Sequence, residues 1–171
     1  KSTLLRILAG LLRPSAGAST LALGGRDIAP GERRRHVGFL SPALAFYEEL
    51  SVAENLRFAA EALGLDAPGS AVVAALGRAG LAERAGDRVG ALSSGLAQRL
   101  RIAFALLARP SVLLMDEPGS HLDEASHAWL ATLVRDEASR RLVVLATNDP
   151  REWTLAEQRI ELRGRGLGRP A

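Results

Sequence analysis

The sequence predicts an α/β domain with a mostly parallel central sheet and an inserted helical segment, and three observations carry this. Short apolar runs at His36–Leu40, Val112–Met115 and Leu142–Ala146 read as strands, the last two as buried ones. Alanine-rich amphipathic segments fill the space between the first and second runs. An acidic pair, Asp116-Glu117, closes the run VLLM at its carboxyl end, where open α/β sheets bind ligands.

The opening segment KSTLLRILAGLL (Lys1 to Leu12) carries apolar residues at Leu4, Leu5, Leu8, Leu11 and Leu12, the stripe of a helix that Pro14 would end. Lys1-Ser2 at the mouth of that helix is the close of a P-loop pattern, G-x-x-x-x-G-K-[ST]. In that pattern the lysine reaches the β- and γ-phosphates and the serine hydroxyl binds Mg²⁺, while the helix N-terminus presents free N–H groups to phosphate. The chain starts at the lysine, so it reads as a fragment without the preceding glycines and strands. On its own it is expected to bind ATP poorly and to be inactive.

Gly17 and Gly24-Gly25 bracket a strand over Ser19 to Leu23, and His36 to Leu40 is the next. Ser51-Val-Ala-Glu54 is a capping box opening a helix with Val52, Leu56, Ala59 and Leu63 on one face. Gly64 and Pro68-Gly69 break it, a second helix covers Ala71 to Arg78, and a short turn lies near Leu81 to Ala85. Gly95 opens a helix with Leu96, Leu100, Ala103, Phe104 and Leu107 on its apolar face, stopped by Arg109-Pro110. After Asp123 a helix over about 124–139 points Trp129 and Leu133 inward. Arg159 to Arg163 reads as a last strand, and 164–171 as a disordered tail. Of the charged groups, Arg33-Arg34-Arg35 reads as a solvated turn and His127 as a helix-surface residue. No metal-ligand spacing links the three histidines.

Composition narrows the function classes. A length of 171 residues fits one domain with a substantial core. Apolar residues make up 47% and charged residues 24%, the balance of a globular protein. With no cysteine there is neither a disulfide framework nor a thiolate metal site. A net charge of +3 and 4% aromatics, without basic-aromatic interleaving, argue against nucleic-acid binding. No apolar run approaches a membrane span, so a role at a membrane would be peripheral.

Four motifs in order and spacing carry a resemblance. Lys1-Ser2-Thr3 matches the end of Walker A, LSSGL (Leu92 to Leu96) the signature motif, VLLMDE (Val112 to Glu117) Walker B with its glutamate, and SHLD (Ser120 to Asp123) the D-loop. The chain resembles the ATP-binding subunit of an ABC transporter, and LSSG-x-x-QR with Asn148-Asp149 after the late strand looks most like the small heme-exporter, cytochrome c maturation type. That resemblance implies a P-loop ATPase core over 1–41 and 96–163, and a helical subdomain over 42–95. It implies ATP and Mg²⁺ as ligands, with Lys1, Ser2, Thr3, Ser93, Ser94, Gly95 and Asp123 at the nucleotide and Ser2 and Asp116 at the metal. Glu117 would be the general base, with Asn148 at the switch position usually held by histidine.

As partners it implies a second ATP-binding subunit and an integral membrane permease at the cytoplasmic face of the inner membrane. Phe46 and Tyr47 are then candidates for the groove that meets the permease, or for core. Pro42 stands where the family has a glutamine and offers neither amide nor N–H. Asn148 cannot carry positive charge, so hydrolysis should be slower than with histidine. Two alternatives stand beside transport: a soluble ABC ATPase without a permease, and a degenerate domain that binds ATP and dimerises with little turnover.

Overall fold

The computed structural model describes residues 1–162. A small antiparallel hairpin pairs β1 (Ala22–Leu23) with β2 (Arg26–Asp27) around Gly24-Gly25, both at positive φ. The main sheet has the order β3-β4-β5, from β3 (Val37–Leu40), β4 (Val112–Asp116) and β5 (Leu142–Ala146), all parallel. β4 lies in the middle, which is why all five of its residues are buried. β5 was expected to be buried as well, but only Ala146 is; Leu142 is 61% exposed. Among the described residues β5 has a neighbour on one side only, so its apolar run is half-covered.

Among the described residues six α-helices accompany these strands: α1 (Ser2–Leu8), α2 (Val52–Ala62), α3 (Pro68–Ala79), α4 (Ser94–Leu106), α5 (Glu124–Ala138) and α6 (Pro150–Trp153). The capping box at Ser51 forms in full: Glu54 N donates to Ser51 Oγ at 3.2 Å, and Ser51 N donates to Glu54 Oε2 at 2.8 Å. Pro68 does not merely break α2; it opens α3, three residues before the expected start, because proline suits the first helical position. α1 ends at Leu8 rather than near Pro14. Gly10, at φ 78°, turns the chain away, and Leu4, Leu11 and Leu12 are exposed, leaving Leu5 as the buried contact of the expected stripe. Residues 159–162 form no strand, and the expectations for Arg163 and for the tail 164–171 lie outside the described residues.

Two apolar cores share one helix. Val52, Leu56, Ala75, Leu76 and Leu81 pack with Leu100 and Ala103 of α4 and with Leu107 just past its end. The opposite face of α4, through Ile102, Ala105 and Leu106, packs under Leu40, Leu113 and Met115 of the sheet and Leu130 of α5. α4 can lie this close to β3 because position 38 is glycine: a Cβ there would sit 2.0 Å from the Ala105 carbonyl oxygen. Glu137 of α5, fully buried, bridges Arg78 of α3 and Arg141, whose Nε lies 2.8 Å from Glu137 Oε2.

Two charged residues expected at the surface are buried. Arg33 donates to the Leu8 carbonyl at 3.3 Å, to Ser19 Oγ at 3.1 Å and to the Ser19 carbonyl, tying the end of α1 to the segment before β1. Its aliphatic stem packs at Gly10. His127 is 9% exposed because the turn at Gly119 and α6 close over that face of α5.

Candidate functional site

The register of the sheet builds the site. Parallel pairing sets Asp116 opposite Ala146, and Glu117 N donates to the Ala146 carbonyl at 2.8 Å. The loop after β4 and the loop after β5 therefore leave the sheet side by side. Asn148 Nδ2 donates to Glu117 Oε1 at 2.9 Å, and its backbone N–H reaches Glu117 Oε2 at 3.4 Å. Lys1 comes to the same place because Leu5 of α1 packs on Val112, Leu114 and Ala146 at this end of the molecule. Its ammonium donates to the Thr147 carbonyl at 2.6 Å and to Asn148 Oδ1. The asparagine amide thus accepts from the lysine and donates to the glutamate, joining three residues far apart in sequence.

Glu117 itself has φ 49°, in the left-handed region that residues with a side chain seldom occupy. A backbone of this kind costs about 1–3 kcal/mol and is characteristic of sites where a side chain must be aimed. Asp116 is 3% exposed, and its carboxylate makes no hydrogen bond among the described residues. A carboxylate at Asp116 and a hydroxyl at Ser2 are hard oxygen donors, the kind that suits Mg²⁺. Ser2 and Thr3 are exposed in the first turn of α1.

The other predicted residues gather in a second place. Ser93 caps α4, accepting from Leu96 N at 3.3 Å. With Ser94, Gly95, Arg99, His121 and Asp123 it lines an open cleft of about 660 Å³. Asp123 caps α5, accepting from Ser126 N at 2.8 Å. The Ser126 hydrogen bonds hold its carboxyl below the usual value, with Arg99 adding to this. Arg99 lies over the Trp129 ring at 3.9 Å, and burial lowers its guanidinium against the pull of Asp123. Ser93–Gly95 and Asp123 therefore line a cleft apart from the Lys1–Asn148–Glu117 group.

The sequence offers Gln98 only as part of the LSSG-x-x-QR pattern and gives it no place in the site, yet it is the side chain that joins the two places. Gln98, 1% exposed on α4, donates to the Pro118 carbonyl at 2.9 Å and reaches the Glu117 carbonyl at 3.4 Å. The signal was present: Gln98, Ile102, Ala105 and Leu106 fall at i, i+4, i+7 and i+8, a polar residue on an apolar stripe. Of the two groove candidates, Phe46 stacks edge-on with Phe104 in the helical core, and Tyr47 pairs with Phe58 at the surface. Pro42 is exposed after β3 and Ser41 Oγ accepts from Ala43 N, so no side-chain amide stands at that position.

A parallel sheet, a helix that starts at a Lys-Ser pair and an Asp-Glu pair at the tip of the central strand define a nucleotide-binding α/β domain of the P-loop class. The family model for the ABC transporter matches residues 1–120, and the chain belongs to that family as an ATP-binding domain. It is 41% identical to the cytochrome c biogenesis ATP-binding export protein CcmA of Agrobacterium fabrum, over 88% of this chain and 71% of that protein. It is 36% identical to an uncharacterized ABC transporter ATP-binding protein of Mycobacterium tuberculosis, over 95% of this chain. The chain spans about half the length of that relative, 52%. Among solved structures it is similar to the dimeric structure of a bacterial ABC transporter cassette, with a TM-score of 0.75 at 23% identity, covering 91% of this chain and 73% of the other.

Proposed function

We propose that this chain binds MgATP at the carboxyl end of β4 and hydrolyses it, as the ATP-binding part of an ABC transporter that powers export. The observation that carries the reading is the Lys1–Asn148–Glu117 connection. Lys1 would turn its ammonium from the Thr147 and Asn148 oxygens to the β- and γ-phosphates. The Ser2 hydroxyl and the Asp116 carboxylate would hold Mg²⁺, which when bound neutralises charge on the transferring phosphoryl group. Glu117 would take the proton of the attacking water, and Asn148, bonded to Oε1, would fix the carboxylate in its aim.

Because Ser93, Ser94, Gly95 and Asp123 line a separate cleft, the arrangement fits two such domains pairing head to tail, each supplying its α4 N-terminus to the other's nucleotide. The similar cassette of known structure is a dimer. On this reading residues 42–95 form the helical subdomain, the further partner is an integral membrane permease, and the domain sits peripherally at the cytoplasmic face of the inner membrane. The described residues contain no helix long and apolar enough to cross a membrane. Export is supported by the names of relatives such as the CcmA protein of Agrobacterium fabrum.

Glu117→Gln in the whole protein tests the assignment. ATP-dependent dimerisation should persist while turnover falls by roughly 100-fold or more, the range of a lost general base. Undiminished turnover in that variant would remove Glu117 from the chemistry. Asn148 and Pro42 favour one second reading, a domain that binds ATP and dimerises with little hydrolysis. Dimerisation without turnover in the unsubstituted protein would select it.

A further inference from the structure

Behind the loops that carry Glu117 and Asn148 lies a polar cluster, buried at Glu152 and His127, that is outside the hydrolysis scheme above. Glu152 of α6 is 3% exposed, and its Oε2 has no hydrogen-bond partner among the described residues. Its Oε1 lies against Gly119, two residues after Glu117: a Cβ at that glycine would come within 2.0 Å of Oε1 and 2.5 Å of His127 Cε1. The Thr147 hydroxyl and the Gly119 N–H also face this carboxylate. His127 Nε2 lies 2.9 Å from Arg151 Nη2. A guanidinium has no lone pair to offer, so Nε2 accepts and the proton of the neutral ring sits on Nδ1, the nitrogen turned toward Gly119. Arg151 is in turn held by Asp149, the residue after Asn148, with Nε at 3.1 and 3.0 Å from its two oxygens.

We propose that Glu152 is a positioning residue: wedged between Gly119, Thr147 and His127, its carboxylate keeps the loop bearing Asn148 at a fixed separation from the loop bearing Glu117. Three parts of the chain meet on this one side chain. They are the turn after β4, the loop after β5, and α5 through His127. A divalent cation among His127, Asp149 and Glu152 is the competing use of the same cluster, since their ligand atoms lie within 4.8 Å of one another. Arg151 already occupies the cationic role there, bonded to both Asp149 oxygens and to the ring nitrogen.

The inference rests on the ATPase reading for its kinetic consequence but not for its structural one, and the experiment separates them. In the whole protein, Glu152→Gln keeps the shape of the side chain and Glu152→Ala removes it. Glu152→Ala is expected to lower kcat by about tenfold with KM for ATP unchanged, and Glu152→Gln to restore most of that loss. Independently of nucleotide, imidazole ¹⁵N spectra should report the Nδ1-protonated tautomer of His127, and Glu152→Ala should shift the amide signals of Gly119 and Asn148 together. Gly119→Ala should be less damaging in the Glu152→Ala background than alone, because the nearer of the two groups it would strike is gone and only the His127 ring must yield. Additive effects of those two substitutions, or amide signals at Asn148 that ignore Glu152, overturn the proposal. Tightening of the cluster by added Zn²⁺, with a shift of the His127 nitrogen signals, would overturn it in favour of a metal site. If the tautomer and the coupling hold while the unsubstituted protein shows no turnover, the ATPase reading fails and the positioning role stands.

Discussion

Removing the Gln98 amide should loosen the Glu117 loop by a calculable amount. Gln98 is nearly inaccessible and donates to the Pro118 carbonyl at 2.9 Å, one residue beyond Glu117. Gln98→Leu fills about the same space but strands that buried acceptor, a loss of roughly 1–3 kcal/mol. Gln98→Ala strands it too and also empties the space of a methylene and an amide, bringing the loss to roughly 2–4 kcal/mol. For a domain of this size each kcal/mol moves Tm by roughly 2–4 °C, so the alanine variant should melt at least about 4 °C lower in circular dichroism. Turnover should fall in both variants, since the left-handed backbone at Glu117 is braced from this side. A leucine variant as stable and as active as the parent would show that the hydrogen bond does not hold the loop, and the reasoning would fail.

Gly38→Ala should destabilise the fold by about 1–3 kcal/mol or more in urea titration, because the added Cβ meets the Ala105 carbonyl oxygen at 2.0 Å and neither backbone can yield cheaply. Asn148→His should raise turnover in the whole protein, because imidazole adds proton-carrying capacity at the switch position; unchanged or lower turnover would count against the switch assignment. Asp149 is held down to about 2, chiefly by its hydrogen bonds with Arg151. Its folded value lies below the unfolded one, so its stabilising effect is complete above the ordinary carboxylate range and disappears as pH falls through about 2. A carboxyl ¹³C titration of Asp149 with a midpoint near 4 would contradict that tether. Glu152 has the opposite sign: burial pushes it up, so what it contributes is present at low pH and lost as pH rises through its folded value. Glu152→Gln should therefore be at least as stable as the parent at neutral pH in thermal melts.

The parts of this molecule that could be read from sequence are those governed by local rules. The capping box at Ser51-Glu54 needs four adjacent residues, and the central strand needs only an unbroken apolar run ending in carboxylates. What escaped depends on partners distant in the chain. Arg33 sits in a run of three arginines that looks solvated, yet Leu8 and Ser19 carbonyls draw it inside. His127 follows the exposed N-terminal turn of α5, and only the approach of Gly119 and α6 buries it. Leu11 and Leu12 keep helical spacing with Leu4 and Leu8, but Gly10 has already turned the backbone. The apolar run of β5 matches that of β4 in composition, and its exposure is set by its place at one side of the sheet.

One helix belongs to two cores. α4 has thirteen residues and so a length of about 20 Å, with Leu100, Ala103 and its C-cap Leu107 committed to the α2–α3 side and Ile102, Ala105 and Leu106 to the sheet. Such a rod cannot roll about its axis without prising apart one set of contacts or the other. A push on its serine-capped tip is therefore delivered as a tilt of the whole rod, and the sheet and the α2–α3 pair must answer to it at once.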